Sequence, residues 1–437
     1  MSQEAEEYRS AFKAHGLVAA HAGNLDLAID AFDRWQYAFS AVDGEDRYAF
    51  DYEILDAMSC LAEPYRATPR PKPISIKKLA FVLHGTPDLG SSLIRFSRYW
   101  AAYGSAFEIR AFAPESIGLL QASGCGMEHF DFFAAHGWQP YAPPDGAHKV
   151  RLLRLAEKIR AFEPDAVFFA SALAKFQTHF LFQLRLAPIQ VGLIAGDWPL
   201  FAAPGLDLGI AFLHRVSVSA PIPTAVVPLE APLREEADEV LRTLRPEERP
   251  PAPILFVATG RACKFGSEFW RLARALMDAV DGVRLGVIGP TVGLCRFYLG
   301  DEQKYLDRVF LIPCTDDYKS YLAHADVVLD TFPFGGGLTV MDAVALGKPV
   351  ITLRDDGCSR RFDQTDWRPA TAILPEGEWI AQTEEEWLRI ACRLATDLGY
   401  RELVGRRCQE HVFATVGDVR RMVRGFEAAV AGLATTR

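Results

Sequence analysis

The stretch Ala325-Asp-Val-Val-Leu-Asp-Thr-Phe-Pro-Phe-Gly-Gly-Gly-Leu-Thr-Val-Met-Asp-Ala-Val-Ala-Leu-Gly-Lys-Pro-Val-Ile-Thr352 decides the fold class. Val327 to Leu329 is a short, unbroken apolar run, the signature of a parallel strand buried on both faces, and it ends at Asp330. Gly335, Gly336 and Gly337 follow, where missing side chains let backbone amides come close to an anion. Thr339 begins a helical pattern whose positive end would face that anion. Asp342 lies one helical turn on, placed to accept hydrogen bonds from a ribose, and Gly347-Lys-Pro349 closes the helix before the next apolar run. Strand, glycine loop, helix and strand in that order suit a nucleoside diphosphate. A glycine-rich turn without a ligand would carry the same glycines, so the reading rests on the whole pattern.

Outward from this block the same alternation continues. Strands are expected at Ile254 to Val257, Arg284 to Ile288, Val309 to Ile312, Val327 to Leu329 and Val350 to Leu353. An earlier series runs through Lys78 to Leu83, Phe107 to Phe112, Ala166 to Ala170 and Val191 to Ile194, with helical stretches between. Two stiff proline-rich segments punctuate the chain, Ala67-Thr-Pro-Arg-Pro-Lys-Pro73 and Arg245-Pro-Glu-Glu-Arg-Pro-Pro-Ala-Pro253. The expected division is an all-α region over 1–68, a Rossmann-like domain over 74–244, a second over 252–415 and a terminal helix over 416–437. That last helix could cap the second half or cross back to the first. Ligands of open α/β sheets sit at the carboxyl ends of the strands, so the active site is expected in the cleft between the two halves.

In the first 66 residues apolar residues recur three and four apart without a proline until Pro64. Phe12, Gly16, Ala20, Ala28 and Phe32 fall where a tetratricopeptide helix pair places small and aromatic residues, and an ordinary helical hairpin fits equally. No second copy follows, so these helices are expected to dock on the rest of the chain, to bind a partner or to self-associate.

With 437 residues, half of them hydrophobic, the chain can build two or three cored domains. Lys plus Arg number 47 against 56 Asp plus Glu, a net −9 that argues against nucleic acid or an anionic membrane as partner. Eight cysteines are scattered without a Cys-x-x-Cys pair, which suggests reduced thiols in a cytoplasmic protein. The acidic start Met-Ser-Gln-Glu-Ala-Glu-Glu is unlike a secretory signal. The most apolar long stretch, 187–213, is interrupted by Pro188, Gly196, Asp197, Pro199, Pro204 and Asp207, so no membrane span is expected and the protein should be soluble.

Three blocks, Leu186-Ala-Pro-Ile-Gln190, Thr259-Gly-Arg-Ala-Cys-Lys264 and 325–352, occur in the order seen in the glycosyltransferase family that contains the O-GlcNAc transferases and the soluble bacterial N-glucosyltransferases of adhesins, and the chain resembles that family. The resemblance is good over about 165–415 and weak over 75–164. It implies a GT-B fold, two Rossmann-like domains facing across a cleft, here preceded by a small tetratricopeptide-like domain. It also implies a UDP-sugar donor and a Ser, Thr or Asn side chain of a protein as acceptor. By the same resemblance Lys264 lies on the donor diphosphate, Arg261 near the uridine where relatives usually carry Gln, and the loop from Leu311 through Pro313 to Tyr318 on the uracil. Tyr318 stands where relatives can carry histidine, and a phenol ring stacks on a base about as well. Thr339 and Asp342 match the family's phosphate and ribose positions, with Gly335 and Gly336 in the loop that leads to them. Gly337 and Leu338 replace a histidine and a threonine, so two donor contacts of relatives are missing.

An inverting transfer benefits from a base on the acceptor side. Relatives carry a histidine deep in the loop after the first strand. Here the loop reads His84-Gly-Thr-Pro-Asp88-Leu-Gly-Ser-Ser92, which leaves His84 and Asp88 as candidates; Asp88 beside Pro87 and Gly90 also reads as a turn former. Asp197 in Gly196-Asp197-Trp198-Pro199 falls where the N-glucosyltransferases have a Gly-His-Pro stretch, and is a third candidate. The leading expectation is a metal-independent, inverting transferase that moves glucose or N-acetylglucosamine from UDP to a protein side chain, with no cofactor. A glycan or small-molecule acceptor, or a non-catalytic scaffold that keeps the nucleotide-sugar fold, are the alternatives.

Overall fold

The computed structural model describes residues 3–39, 52–83, 92–123, 125–170, 176–194, 205–212, 223–228, 230–300, 302–313, 315, 317–332, 335–354 and 369–434. Its strands are β1 (Lys78–Val82), β2 (Glu108–Phe112), β3 (Ala166–Phe169), β4 (Ile189–Ile194), β5 (Leu208–Phe212), β6 (Thr224–Val227), β7 (Ile254–Thr259), β8 (Val283–Ile288), β9 (Val309–Ile312), β10 (Val327–Leu329), β11 (Val350–Leu353) and β12 (Ile380–Ala381). They form two six-stranded sheets, in the orders β2-β1-β3-β4-β5-β6 and β12-β11-β10-β7-β8-β9. Every pairing is parallel, and most of the strands are buried on both faces, as expected of sheets covered by helices. This is the GT-B architecture of two Rossmann-like sheets, preceded by helices.

Strands β5, β6 and β12 add to those expected. Leu208-Gly-Ile-Ala-Phe212 is short and lies in the proline-broken apolar stretch, and Thr224-Ala-Val-Val227 stands between Pro223 and Pro228. Both are as long as strands that the sequence does reveal, but the prolines around them break the apolar run that would mark a strand.

The described residues fall into two compact units. The first comprises those up to 228 together with those from 419 onward; the second runs from 230 to 418. The core of the first unit is aromatic. The Phe81 ring on β1 meets Trp100 at 5.4 Å, Trp138 at 4.9 Å and, on the neighbouring strand β3, Phe168 at 5.1 Å.

The terminal helix Val419–Ala431 completes this core. Phe426 is fully buried against Trp100 and Phe168, with ring centroids 4.2 and 4.5 Å away. Glu427 accepts hydrogen bonds from Ser105 Oγ and from the Ala106 amide. The chain therefore returns to its first unit.

The N-terminal helices also belong to this unit. Gly16 faces the Phe32 ring so closely that a methyl group there would penetrate it, which is the small-against-aromatic packing that the sequence pattern suggests. Phe32 and Trp35 in turn pack on Phe176 at 5.2 and 6.3 Å. Asp26 Oδ1 accepts from the Lys149 amide at 2.8 Å, and Asp33 Oδ1 from the Phe176 amide at 3.2 Å, so these helices cap two helices that flank the first sheet.

The break between units falls near 228–229, ahead of the proline-rich segment 245–253 where the sequence suggests it. Helix Leu233–Thr243 lies with the second unit, where Lys319 Nζ donates to Glu236 Oε2 at 2.7 Å. The proline-rich segment itself is tied down: Arg249 donates to the His324 carbonyl at 3.1 Å and to Asp326 at 2.7 Å. Prolines stiffen a segment whether it joins domains or lies on one, so their density alone does not mark a boundary.

Candidate functional site

In the second sheet, β8 and β9 extend to one side of β7, and β10, β11 and β12 to the other. The point where the order reverses, between β7 and β10, is where loops leave in opposite directions and open a crevice at the carboxyl ends of the strands. The loop after β7 carries Lys264, and the loop after β10 carries the three glycines. Tertiary structure brings them together: Lys264 Nζ donates to the Gly335 carbonyl at 2.9 Å.

The two loops are locked by an apolar cluster beneath them. Phe265 and Phe332 pair through a backbone bridge, and the Gly266 amide donates to the Phe332 carbonyl at 3.0 Å. The Phe269 ring packs on Phe265 at 5.0 Å and on Phe332 at 5.5 Å. Lys264 sits at the end of the tight turn Ala262–Lys264, with its stem running past Gly260. A Cβ at 260 would lie 2.9 Å from Lys264 Cδ, so glycine there gives the lysine its path.

The glycine loop is braced from below by Asp330, which is 2% exposed. Its Oδ1 accepts from the Thr331 amide at 2.9 Å and the Gly336 amide at 2.6 Å, and its Oδ2 from Thr352 Oγ1 on β11 at 2.7 Å. The Gly336 amide is therefore spent inside the protein and is not available to an anion. A methyl at 336 would drive into Thr339 Oγ1. Within helix Leu338–Ala345 the first internal bonds run from the Val340 and Met341 amides to the Gly337 carbonyl, both at 3.1 Å. The amides of Gly337, Leu338 and Thr339, at the positive end of this helix, have no acceptor among the described residues.

Asp342 is buried one turn further along. Tyr318, the first residue of helix Tyr318–His324, donates its hydroxyl to Asp342 Oδ2 at 2.5 Å, and Lys319 Nζ stands 3.7 Å from Oδ1. Because Lys319 also pairs with Glu236, this chain of charges ties helix Leu233–Thr243 to the aspartate.

Of the sequence-derived candidates, Lys264, Gly335, Gly336, Gly337, Thr339, Tyr318 and Asp342 thus gather on the loops and helices at the carboxyl edge of the second sheet. Arg261 lies exposed two residues after β7, and Pro313 lies exposed directly after β9. Leu338 is buried. His84, Asp88 and Asp197 lie outside the described residues. Gln190, in one of the resembling blocks, is fully buried and structural: its Oε1 accepts from the Leu186 amide at 2.8 Å, and its Nε2 donates to the carbonyls of Phe182 and Gly205 at 2.7 and 2.6 Å.

Asp330, Thr352, Lys319 and Glu236 are the site residues that sequence reasoning missed. Asp330 was legible only as the end of a strand. The Thr352 and Glu236 partnerships span 22 and 83 residues of chain, beyond any local spacing rule.

No protein-family model matches the chain. Among curated proteins it is similar to the probable UDP-N-acetylglucosamine–peptide N-acetylglucosaminyltransferase SPINDLY of Hordeum vulgare, 27% identical over 135 residues, which are 30% of this chain and 14% of that protein. The protein of the same name from Eustoma exaltatum subsp. russellianum is 26% identical over 231 residues, 49% of this chain and 24% of that protein. The chain thus spans at most about a quarter of the length of these curated relatives. Among solved structures, a mutant of the Thermobaculum terrenum O-GlcNAc transferase superposes with a TM-score of 0.62 at 18% identity, covering 96% of this chain and 83% of that one. Anabaena HepE in complex with UDP superposes with a TM-score of 0.57 at 12% identity, covering 82% of this chain and all of that one. Both likenesses establish the shared fold.

Proposed function

We propose that this chain is a UDP-sugar-dependent glycosyltransferase whose donor diphosphate lies against Lys264 and the free amides of Gly337, Leu338 and Thr339. The observation that carries this reading is the 2.9 Å contact from Lys264 to Gly335, which sets a fixed ammonium on a glycine loop at a helix N-terminus. In the reaction an acceptor oxygen or nitrogen attacks the anomeric carbon, the bond from that carbon to the β-phosphate oxygen breaks, and UDP leaves with the bonding electrons. Charge grows on the leaving phosphate, and a preorganised cation with oriented amides stabilises it as it forms. Lys264 supplies that charge from the protein itself, so the reading calls for no metal ion. Asp342, held by Tyr318, is offered to the ribose, and the Tyr318 ring to the uracil.

The acceptor side is proposed on the resemblance. The names of the curated relatives favour a protein acceptor and the transfer of N-acetylglucosamine; glucose is the other sugar to test. His84, Asp88 and Asp197 are the candidates to take the acceptor's proton during an inverting attack.

A thermal-shift titration with UDP tests the donor half. A ligand that binds only the folded state adds about 2.7 kcal/mol of stability at 100 times its Kd. Incubation with UDP-glucose and UDP-N-acetylglucosamine, with lysate of the native host and mass spectrometry of the products, tests transfer. Stabilisation by UDP without release or transfer of sugar would favour a binding role, a reading to which the replacement of two donor contacts by Gly337 and Leu338 lends support. Absence of any UDP effect would remove both.

A further inference from the structure

Three hydrogen bonds converge on the buried carboxylate of Asp330, behind the loop proposed to meet the donor. Two come from backbone amides on either side of the turn, Thr331 and Gly336, and the third from Thr352 on the neighbouring strand β11. The loop leaving β10 is thereby stapled to β11, and the backbone on either side of Gly336 takes its orientation from the staple. The Gly335 carbonyl, which holds Lys264, immediately precedes the stapled amide, and the free amides of Gly337, Leu338 and Thr339 follow it.

A negative charge placed behind a diphosphate site is a liability. Left uncompensated it would repel the ligand, because Coulomb interactions are strong where water is excluded. Here donors meet both carboxylate oxygens, so the charge is met by N–H and O–H dipoles. The opposing effects give Asp330 two separable roles: its shape and lone pairs hold the loop, and its charge opposes the ligand.

We infer that Asp330 is a positioning residue for the donor diphosphate, acting through the Gly336 amide and Thr352 to set the glycine loop and the Lys264 ammonium in binding register. This rests on the reading of the loop as a diphosphate cradle. An asparagine at 330 keeps an oxygen for the two amides and turns an NH2 toward the Thr352 hydroxyl, which can accept as well as donate. Alanine keeps none of the three bonds.

The test compares equilibrium affinities of UDP and of UMP, which lacks the second phosphate, for the full chain and its variants. Asp330→Ala is expected to weaken UDP binding about tenfold or more relative to UMP, as the loss of charge-assisted positioning implies. Asp330→Asn is expected to restore most of the UDP affinity. Thr352→Val, which removes one of the three donors without opening the loop, is expected to show a smaller loss in the same direction, and it decides the matter if the alanine variant does not fold. A general loss of stability would not change the UDP-to-UMP ratio of the folded fraction. The inference is overturned if that ratio is unchanged in both Asp330→Ala and Thr352→Val, or if Asp330→Asn and Asp330→Ala both bind UDP more tightly than the parent, which would make charge the dominant effect. In those outcomes the parent still binds UDP and the functional reading stands. If the parent binds neither nucleotide, the functional reading falls and the inference with it.

Discussion

Tyr318 donates its hydroxyl to Asp342 Oδ2 at 2.5 Å, so an aromatic residue and a carboxylate 24 positions apart form one unit on adjacent helices. Tyr318→Phe removes one donor from a buried carboxylate whose other oxygen Lys319 faces at 3.7 Å. The expected cost is about 1–3 kcal/mol, seen as an earlier unfolding midpoint of the variant in denaturant. An unchanged midpoint would show that Lys319 and the rest of the pocket suffice for Asp342.

Lys264→Ala is expected to remove most of the stabilisation that UDP confers, a loss of about tenfold or more in affinity for a charge-assisted contact. Gly260→Ala tests the same ammonium indirectly. The added methyl meets the lysine stem 2.9 Å away, so UDP affinity should fall although the positive charge is retained. Full affinity in both variants, measured by isothermal titration, would remove Lys264 from the donor site.

Phe426→Ala deletes a fully buried ring that contacts both Trp100 and Phe168. A large-to-small change at such a site costs about 3–5 kcal/mol. Near-ultraviolet circular dichroism, which reports the surrounding tryptophans, should show the loss first. A variant with parental stability would mean that the terminal helix does not complete the first unit's core.

His129 is buried in helix Cys125–Ala135, and neither ring nitrogen has a hydrogen-bond partner among the described residues. Burial, and secondarily the Arg98 guanidinium, push its pKa down to about 4 from an ordinary value near 6.5. The folded protein therefore holds this imidazole neutral where the unfolded chain would protonate it. Its contribution to stability is intact above about pH 6.5 and is lost as pH falls toward 4, with a slope of at most about 1.4 kcal/mol per pH unit from this one group. His129→Phe should flatten the stability profile in that window, and an identical pH profile in the two proteins would sink the assignment.

Much of this molecule is legible in its sequence because the information is local. An unbroken apolar run such as Val327 to Leu329 has few fates other than a strand buried on both faces. A glycine loop followed by a helix start has few shapes, and Gly16 opposite Phe32 follows from helical spacing. Strand β12 has only two residues, and β5 and β6 lie among prolines that break the apolar run a strand would show.

Tertiary structure alone decided the rest, because contacts across tens or hundreds of residues depend on strand order. Nothing within 254–264 says that β7 lies beside β10, yet that adjacency puts Lys264 on Gly335. The same is true of Asp330 with Thr352, of Lys319 with Glu236, and of Phe426 with Trp100. Local pattern specified the elements and the chemistry of single loops; the reversal of strand order in the second sheet and the return of the last helix to the first unit specified which of those loops meet.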